Sequence, residues 1–174
     1  MYSFSVQTEA LTTPEAAFEA VADLMKRGYY MADGVTMMRE VAPRPPSETE
    51  KFLPGQRVAY MLNGAMQETQ IAEVEEWDQA EANILETPVR PTKGEKFEWR
   101  ISELMPGTLR ITLTFSADFG AMEKISKGGT LKKFWGETLE RLKVYVEDKR
   151  SFAGARTFAP KESGSGWDDP LANF

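Results

Sequence analysis

The sequence predicts an α+β protein: a curved, seven-stranded antiparallel sheet wrapped around one long C-terminal helix, with short N-terminal helices closing one end. Three observations predict it. Residues 130–149, TLKKFWGETLERLKVYVEDK, carry an apolar face at helical spacing. Six segments between Val35 and Ser116 read as strands separated by short turn signals, the pattern of an antiparallel meander. A further alternating segment, YSFSVQTEA, precedes a helix-start signal at the beginning of the chain.

In that first strand Tyr2, Phe4 and Val6 share one face and Ser3, Ser5 and Gln7 the other. Thr13 before Pro14 then starts a helix, because proline is tolerated where a backbone amide would be unpaired anyway. Ala17, Phe18, Val21 and Leu24 form its apolar stripe, and KRGYYMADG breaks it. VTMMREVA is the next strand, and the Pro-rich PRPPSETEKFLPG connects it onward.

QRVAYMLNG, MQETQIAEVEEW, AEANILET, KFEWRISEL and TLRITLTFSA complete the sheet. Turns are marked by Asn63-Gly64, Trp77-Asp78-Gln79, the loop from Pro88 to Gly94, and Pro106-Gly107. Alternation puts Val58, Tyr60 and Leu62 on one face of their strand. Phe97, Trp99 and Ile101 share a face likewise, as do Leu109, Ile111, Leu113 and Phe115. On the outer face, Glu98 is expected to pair with Arg100 or Arg110.

Gly128-Gly129 should break or kink what precedes the long helix, since two glycines cost about 2 kcal/mol of helix propensity. Thr130 is the candidate N-cap. At 100° per residue, Leu131, Phe134, Trp135, Leu139, Leu142, Tyr145 and Val146 then fall within an arc of about 140°. Val144 is the apolar residue that faces away. Residues 1–149 thus read as one domain and 150–174 as a flexible tail rich in Gly, Ser and Pro. Trp167 and Phe174 in that tail are candidates to cap a cavity.

Composition excludes several chemistries. A net charge of −6 and a pI near 4.9 weigh against nucleic acid or an anionic membrane as partner. No apolar run is long enough to span a bilayer, and the N-terminus lacks a secretion signal, so a cytoplasmic location is expected. With no cysteine, disulfides and thiol nucleophiles are out. With no histidine, the commonest general base and the commonest transition-metal ligand are out too. No metal or cofactor motif is present, and none is expected.

Three stretches carry a resemblance: TTPEAAFEAVADL after the first strand, LPGQRVAYMLNGAMQETQIAEVEEWDQ in the middle, and TLKKFWGETLERLKVYVE at the end. Over residues 2–149 the chain resembles the START-like helix-grip superfamily (SRPBCC), which includes polyketide cyclases and lipid-transfer domains. Relatives commonly place a Trp after the first helix, where this chain has KRGYYMADG. The resemblance implies a cavity between sheet and helix for a lipid, polyketide or aromatic compound.

The predicted inner surface is almost wholly apolar, as such pockets are. Candidate ligand-binding residues are Val58, Leu62, Phe97, Trp99, Ile101, Ile111, Leu113, Phe115, Trp135, Leu139 and Leu142. The indole N–H groups of Trp99 and Trp135 need acceptors there. Met37, Met38, Met61 and Met66 read as filler or as an adaptable wall. Tyr60 and Glu68 are the acid–base candidates, since burial would tune a carboxyl or phenol for proton transfer. Three functions are open: a binder of a hydrophobic small molecule, a polyketide cyclase or dehydratase working without His or Cys, and an interaction domain with a filled core.

Overall fold

In the computed structural model, which describes residues 1–151 apart from Glu50 and Gln79, the first alternating segment is strand β1 (Tyr2–Leu11). Phe4, Thr8 and Ala10 are buried, while Ser3, Ser5 and Gln7 are exposed or partly so. Helix α1 (Pro14–Ala22) begins where Thr13 and Pro14 predict, with the Thr13 hydroxyl accepting the Ala16 amide at 3.2 Å. Asp23 ends α1 and caps a 3-10 turn over Leu24–Tyr29, accepting the Met25 amide at 3.0 Å. KRGYYMADG therefore continues the helical path in a tighter form before it breaks.

The remaining strands are β2 (Val35–Ala42), β3 (Arg57–Leu62), β4 (Ala65–Asp78), β5 (Glu81–Pro88), β6 (Lys96–Met105) and β7 (Thr108–Ala117). They form one seven-stranded antiparallel sheet in the order β1-β7-β6-β5-β4-β3-β2. Neighbours in sequence pair throughout, except that β1 closes the far side against β7. The β3–β4 turn uses Asn63 (φ 50) and Gly64 (φ 81), two consecutive left-handed residues whose twist suits a tight hairpin.

The β2–β3 connection, Pro43 to Gln56, is far longer than a hairpin needs. It is strapped down at two places. Phe52 packs edge-on against Phe18 at 5.5 Å, the Arg44 guanidinium stacks on Phe52 at 4.2 Å, and the Phe52 amide donates to the Glu76 carboxylate. Buried Gln56 accepts the Leu24 amide at 2.8 Å and donates to Asp23 and Glu40 at 2.9 Å each.

The long helix departs from expectation at its start. Chain between Gly120 and Gly129 is already helical, as α2 (Ala121–Glu123) and a π turn over Lys124–Gly128, and it runs on into α3 (Gly129–Ser151). Thr130 is therefore inside the helix, its hydroxyl donating to the Ser126 carbonyl at 3.5 Å, and is not the N-cap. The glycine pair widens the helix instead of stopping it. Gly128 serves close approach: a Cβ there would sit 2.5 Å from the Tyr2 ring.

The inner stripe is as expected, with Trp135, Leu139, Leu142 and Val146 buried and Val144 exposed. They pack with Ile101, Leu109, Ile111, Leu113 and Phe115 into one core. On the outer face the pairing is corrected: Arg100 reaches Glu81 at 3.1 Å and Arg110 reaches Glu9 at 2.7 Å. Register explains it, because Glu9 lies directly opposite Arg110, and Glu81 lies two residues from Asn83, the partner of Arg100. The tail, with Trp167 and Phe174, lies outside the described residues.

Candidate functional site

The inner face of the sheet carries a charged pair that alternation and spacing do not predict. On β5, Ala82, Ile84 and Glu86 point inward and are buried, so a carboxylate stands where alternation calls for an apolar group. Its counter-charge comes from above. Arg27, on the 3-10 turn, places Nη1 2.7 Å from Glu86 Oε2, and both side chains are 2% exposed. Arg27 Nη2 donates to the Val21 carbonyl at 3.3 Å. The guanidinium lies over Trp99 at 4.8 Å from the ring centre and 6.0 Å from that of Trp135.

Glu86 is held by further donors. Thr69 on β4 donates to Oε1 at 2.7 Å, and the Trp99 indole on β6 donates to Oε2 at 3.0 Å. The indole thus finds its acceptor in the protein. With three donors on its two oxygens, the carboxylate is an anchored counter-ion. Burial opposes the charge on Arg27, but adjacent Glu86 outweighs it and holds the guanidinium above its ordinary pKa.

One donor is left over. Arg27 Nε–H is buried with no hydrogen-bond partner among the described residues. An unpaired buried donor costs about 1–3 kcal/mol. Tyr60 on β3 is buried nearby, close enough to feel both charges; burial first, then Glu86, pushes its phenol well above the usual range, with Arg27 opposing. Tyr30 is pushed up to about 12, mainly by burial, and its hydroxyl donates to the Ala20 carbonyl at 2.6 Å.

Aromatic rings surround this polar island. Trp99 meets Trp135 edge-on at 5.8 Å, Phe97 lies 5.3 Å from Trp135 and 5.0 Å from Phe115, and Phe134 is edge-on to Trp135 at 5.3 Å. The sequence-predicted residues Val58, Trp99, Ile101, Ile111, Leu113, Phe115, Trp135, Leu139 and Leu142 are all buried in this one core. Phe97 and Leu62 are half-buried at its margin.

Glu68 stands apart. Its neighbour Thr69 faces inward, so Glu68 faces out and pairs with Arg57, about one-third exposed. Met38 is buried, whereas Met37 and Met66 are 57% and 60% exposed, so the methionines form no continuous inner wall. Sequence reasoning missed Arg27 and Glu86. Glu86 was detectable as the break in the Ala82, Ile84, Glu86 alternation. Arg27 had no such signal, since its stretch reads only as a helix break.

Two grooves open at the surface, the first of them reaching the strand positions of Ile84 and Trp99 from the outer side. One of about 370 Å³ is on the outer sheet face, beside Glu73, Glu98, Arg100 and Thr112. Another of about 440 Å³ runs along α3 by Tyr29, Arg141, Val144 and Tyr145.

No protein-family model matches the chain, and no curated protein matches it. Solved structures do. A hypothetical protein from Helicobacter pylori matches with a TM-score of 0.61 at 14% identity, over 83% of this chain and 88% of that one. The Aha1 dimer from Colwellia psychrerythraea matches with 0.56 at 13% identity, over 84% and 97%. The di-domain ARO/CYC BexL from the BE-7585A biosynthetic pathway matches with 0.57 at 12% identity, over 84% of this chain and 47% of that one. The likeness is one of fold. It agrees with the curved sheet and long helix that the sequence predicts.

Proposed function

We propose that the protein binds a hydrophobic or aromatic small molecule between the sheet and α3, against Trp99, Trp135 and Phe97. The observation that carries this reading is the Arg27–Glu86 pair, with its unpaired Nε–H, in the middle of an apolar inner face. A buried ion pair is a weak stabiliser, because the cost of desolvating both charges rivals their attraction. Packed apolar side chains would serve a plain core as well. A pair that leaves a donor unspent, ringed by aromatics, suits a site that orients a guest. The neighbour from a biosynthetic pathway, an ARO/CYC protein, is in keeping with small-molecule work.

Affinity in this reading comes from apolar burial, at about 25 cal/mol per Å². Orientation comes from the polar island. Tyr60, whose phenol is held protonated, acts as a hydrogen-bond donor at neutral pH, not as a base. For the cyclase or dehydratase reading, Tyr60 is the proton donor to test. Glu68, tied to Arg57, lies outside the island.

The test is native mass spectrometry of the protein mixed with fatty acids, sterols and aromatic polyketides. A retained, unaltered molecule supports the binder; one released with a loss of water or a new ring makes the protein an enzyme. Trp135→Ala is expected to weaken retention at least tenfold while circular dichroism shows an intact fold. Unchanged retention in that folded variant, or no retention across the whole panel, would sink the reading.

A further inference from the structure

The groove along the last turns of α3 is apolar and acidic at once. Two of its walls, Tyr29 and Tyr145, stack with ring centres 5.7 Å apart and planes 12° from parallel. Tyr29 is 45% exposed, and Val144 in the same groove is 57% exposed. Arg141 lines it too, but its guanidinium is committed to the Asp33 carboxylate at 2.8 Å and the Met31 carbonyl at 3.1 Å. The groove's carboxylates, Glu140 and Asp148, have no cationic partner among the described residues. Burial first, then Tyr30, Tyr29, Glu19 and Asp23, push the Tyr145 phenol up, so the charges that bear on this face are negative.

The chain itself supplies a complementary segment, and that segment starts within reach. Helix α3 ends at Ser151, shortly after Asp148. Gly154 then gives a helix-stop signal in the sequence. At 1.5 Å per residue, Glu140 at the far end of the groove lies only ~16 Å back along the axis, a span that about five extended residues cover. Charge picks out the part of the tail that fits. From Lys149 to Lys161 the sequence has the cations Lys149, Arg150, Arg156 and Lys161 and no acid. From Glu162 to Phe174 it has Glu162, Asp168 and Asp169 and no cation. Phe152 and Phe158 fall in the basic half, which therefore carries both the rings and the charge that the groove matches.

We propose that residues 152–161 fold back along α3 and dock in this groove, with Phe158 against Tyr145 and Val144, and with Arg156 and Lys161 facing Glu140 and Asp148. Weak contacts suffice, because a segment joined to its site by a few residues meets it at an effective concentration on the order of millimolar. The docked segment also bears on the candidate site: Tyr29 closes the 3-10 turn that carries Arg27, so covering it braces that turn from outside. The docking stands apart from the small-molecule reading and is tested without a ligand.

The absence of cysteine makes the test direct, since one introduced thiol takes one spin label. Thr157→Cys and Ser165→Cys, each in the full chain, place labels in the basic and the acidic half. Electron paramagnetic resonance is expected to show the label at 157 tumbling at least threefold more slowly than the one at 165. Val144→Lys, at an exposed position that the core does not use, should bring the mobility at 157 close to that at 165 by removing apolar surface and repelling the cations. Phe158→Ser should do the same from the other side of the contact. Equal mobility at both sites in the unaltered background overturns the docking, and so does a slow label at 157 that neither substitution frees. A slow label that becomes mobile on tenfold dilution places the segment on a second copy of the chain and overturns the fold-back.

Discussion

At the scale of single residues, Arg27 and Glu86 make the sharpest energetic statement. Glu86→Gln strands a buried guanidinium and is expected to cost about 3–5 kcal/mol in urea unfolding. The double variant Arg27→Met with Glu86→Leu should lose much less than Glu86→Gln alone, because no charge is then left unpaired. A double variant as unstable as the single one would contradict the pairing. Tyr30 gives a pH test. Its folded pKa, pushed up to about 12, exceeds the unfolded value of 10.0, so the folded state holds this proton more tightly. The stabilisation is complete below pH 10 and is lost as pH climbs towards 12, by roughly 2 kcal/mol. Melting temperature should fall over that range, and tyrosinate absorbance at Tyr30 should appear with unfolding, not before it. How legible were these residues? Trp99 and Trp135 were found by alternation and helical spacing, which depend on neighbours in sequence. The Arg27–Glu86 contact joins a turn to a strand far along the chain, and no local period encodes it.

At the scale of elements, boundaries followed local chemistry wherever that chemistry was strong. Thr13 with Pro14 started α1 as predicted, and Thr13→Ala is expected to cost about 1 kcal/mol of thermal stability through loss of the Ala16 amide bond. Asn63-Gly64 turned the β3–β4 hairpin as predicted. The start of the long helix differed, because propensity alone argues for a break at Gly128-Gly129. Tertiary packing overrides that preference: Tyr2, stacked on Phe119 at 5.8 Å, lies against Gly128 and requires a residue without a side chain. Gly128→Val should destabilise the protein by about 1–3 kcal/mol, and Tyr2→Ala in the same chain should recover part of the loss. A valine tolerated beside intact Tyr2 would show that close approach is not what the glycine provides. The outer-face pairs were misassigned because facing along a strand can be read from sequence, whereas its register against a neighbour cannot.

At the scale of the whole molecule, β1 meets β7, so the first and last strands of the sheet are partners and the chain's early residues are locked by its late ones. The meander was legible because its hairpins are local. The closing of β1 on β7 was not, and it follows from the need to pair the β7 edge and cover the core beneath α3. This closure gives the strap from Pro43 to Gln56 a different meaning. Arg44 stacks on Phe52, a contact between two residues of the strap itself, and a protease is expected to cut first in the stretch before Phe52. The cut would fall between β2 and β3, leaving one piece with β1, α1 and β2 and another with β3 to α3. Those pieces hold each other at both sides of the sheet, β1 against β7 and β2 against β3. A nicked protein should therefore still elute as one particle on gel filtration, and two separately produced halves divided at the strap should reassemble when mixed, making this connection a natural place to split the protein into a complementing pair.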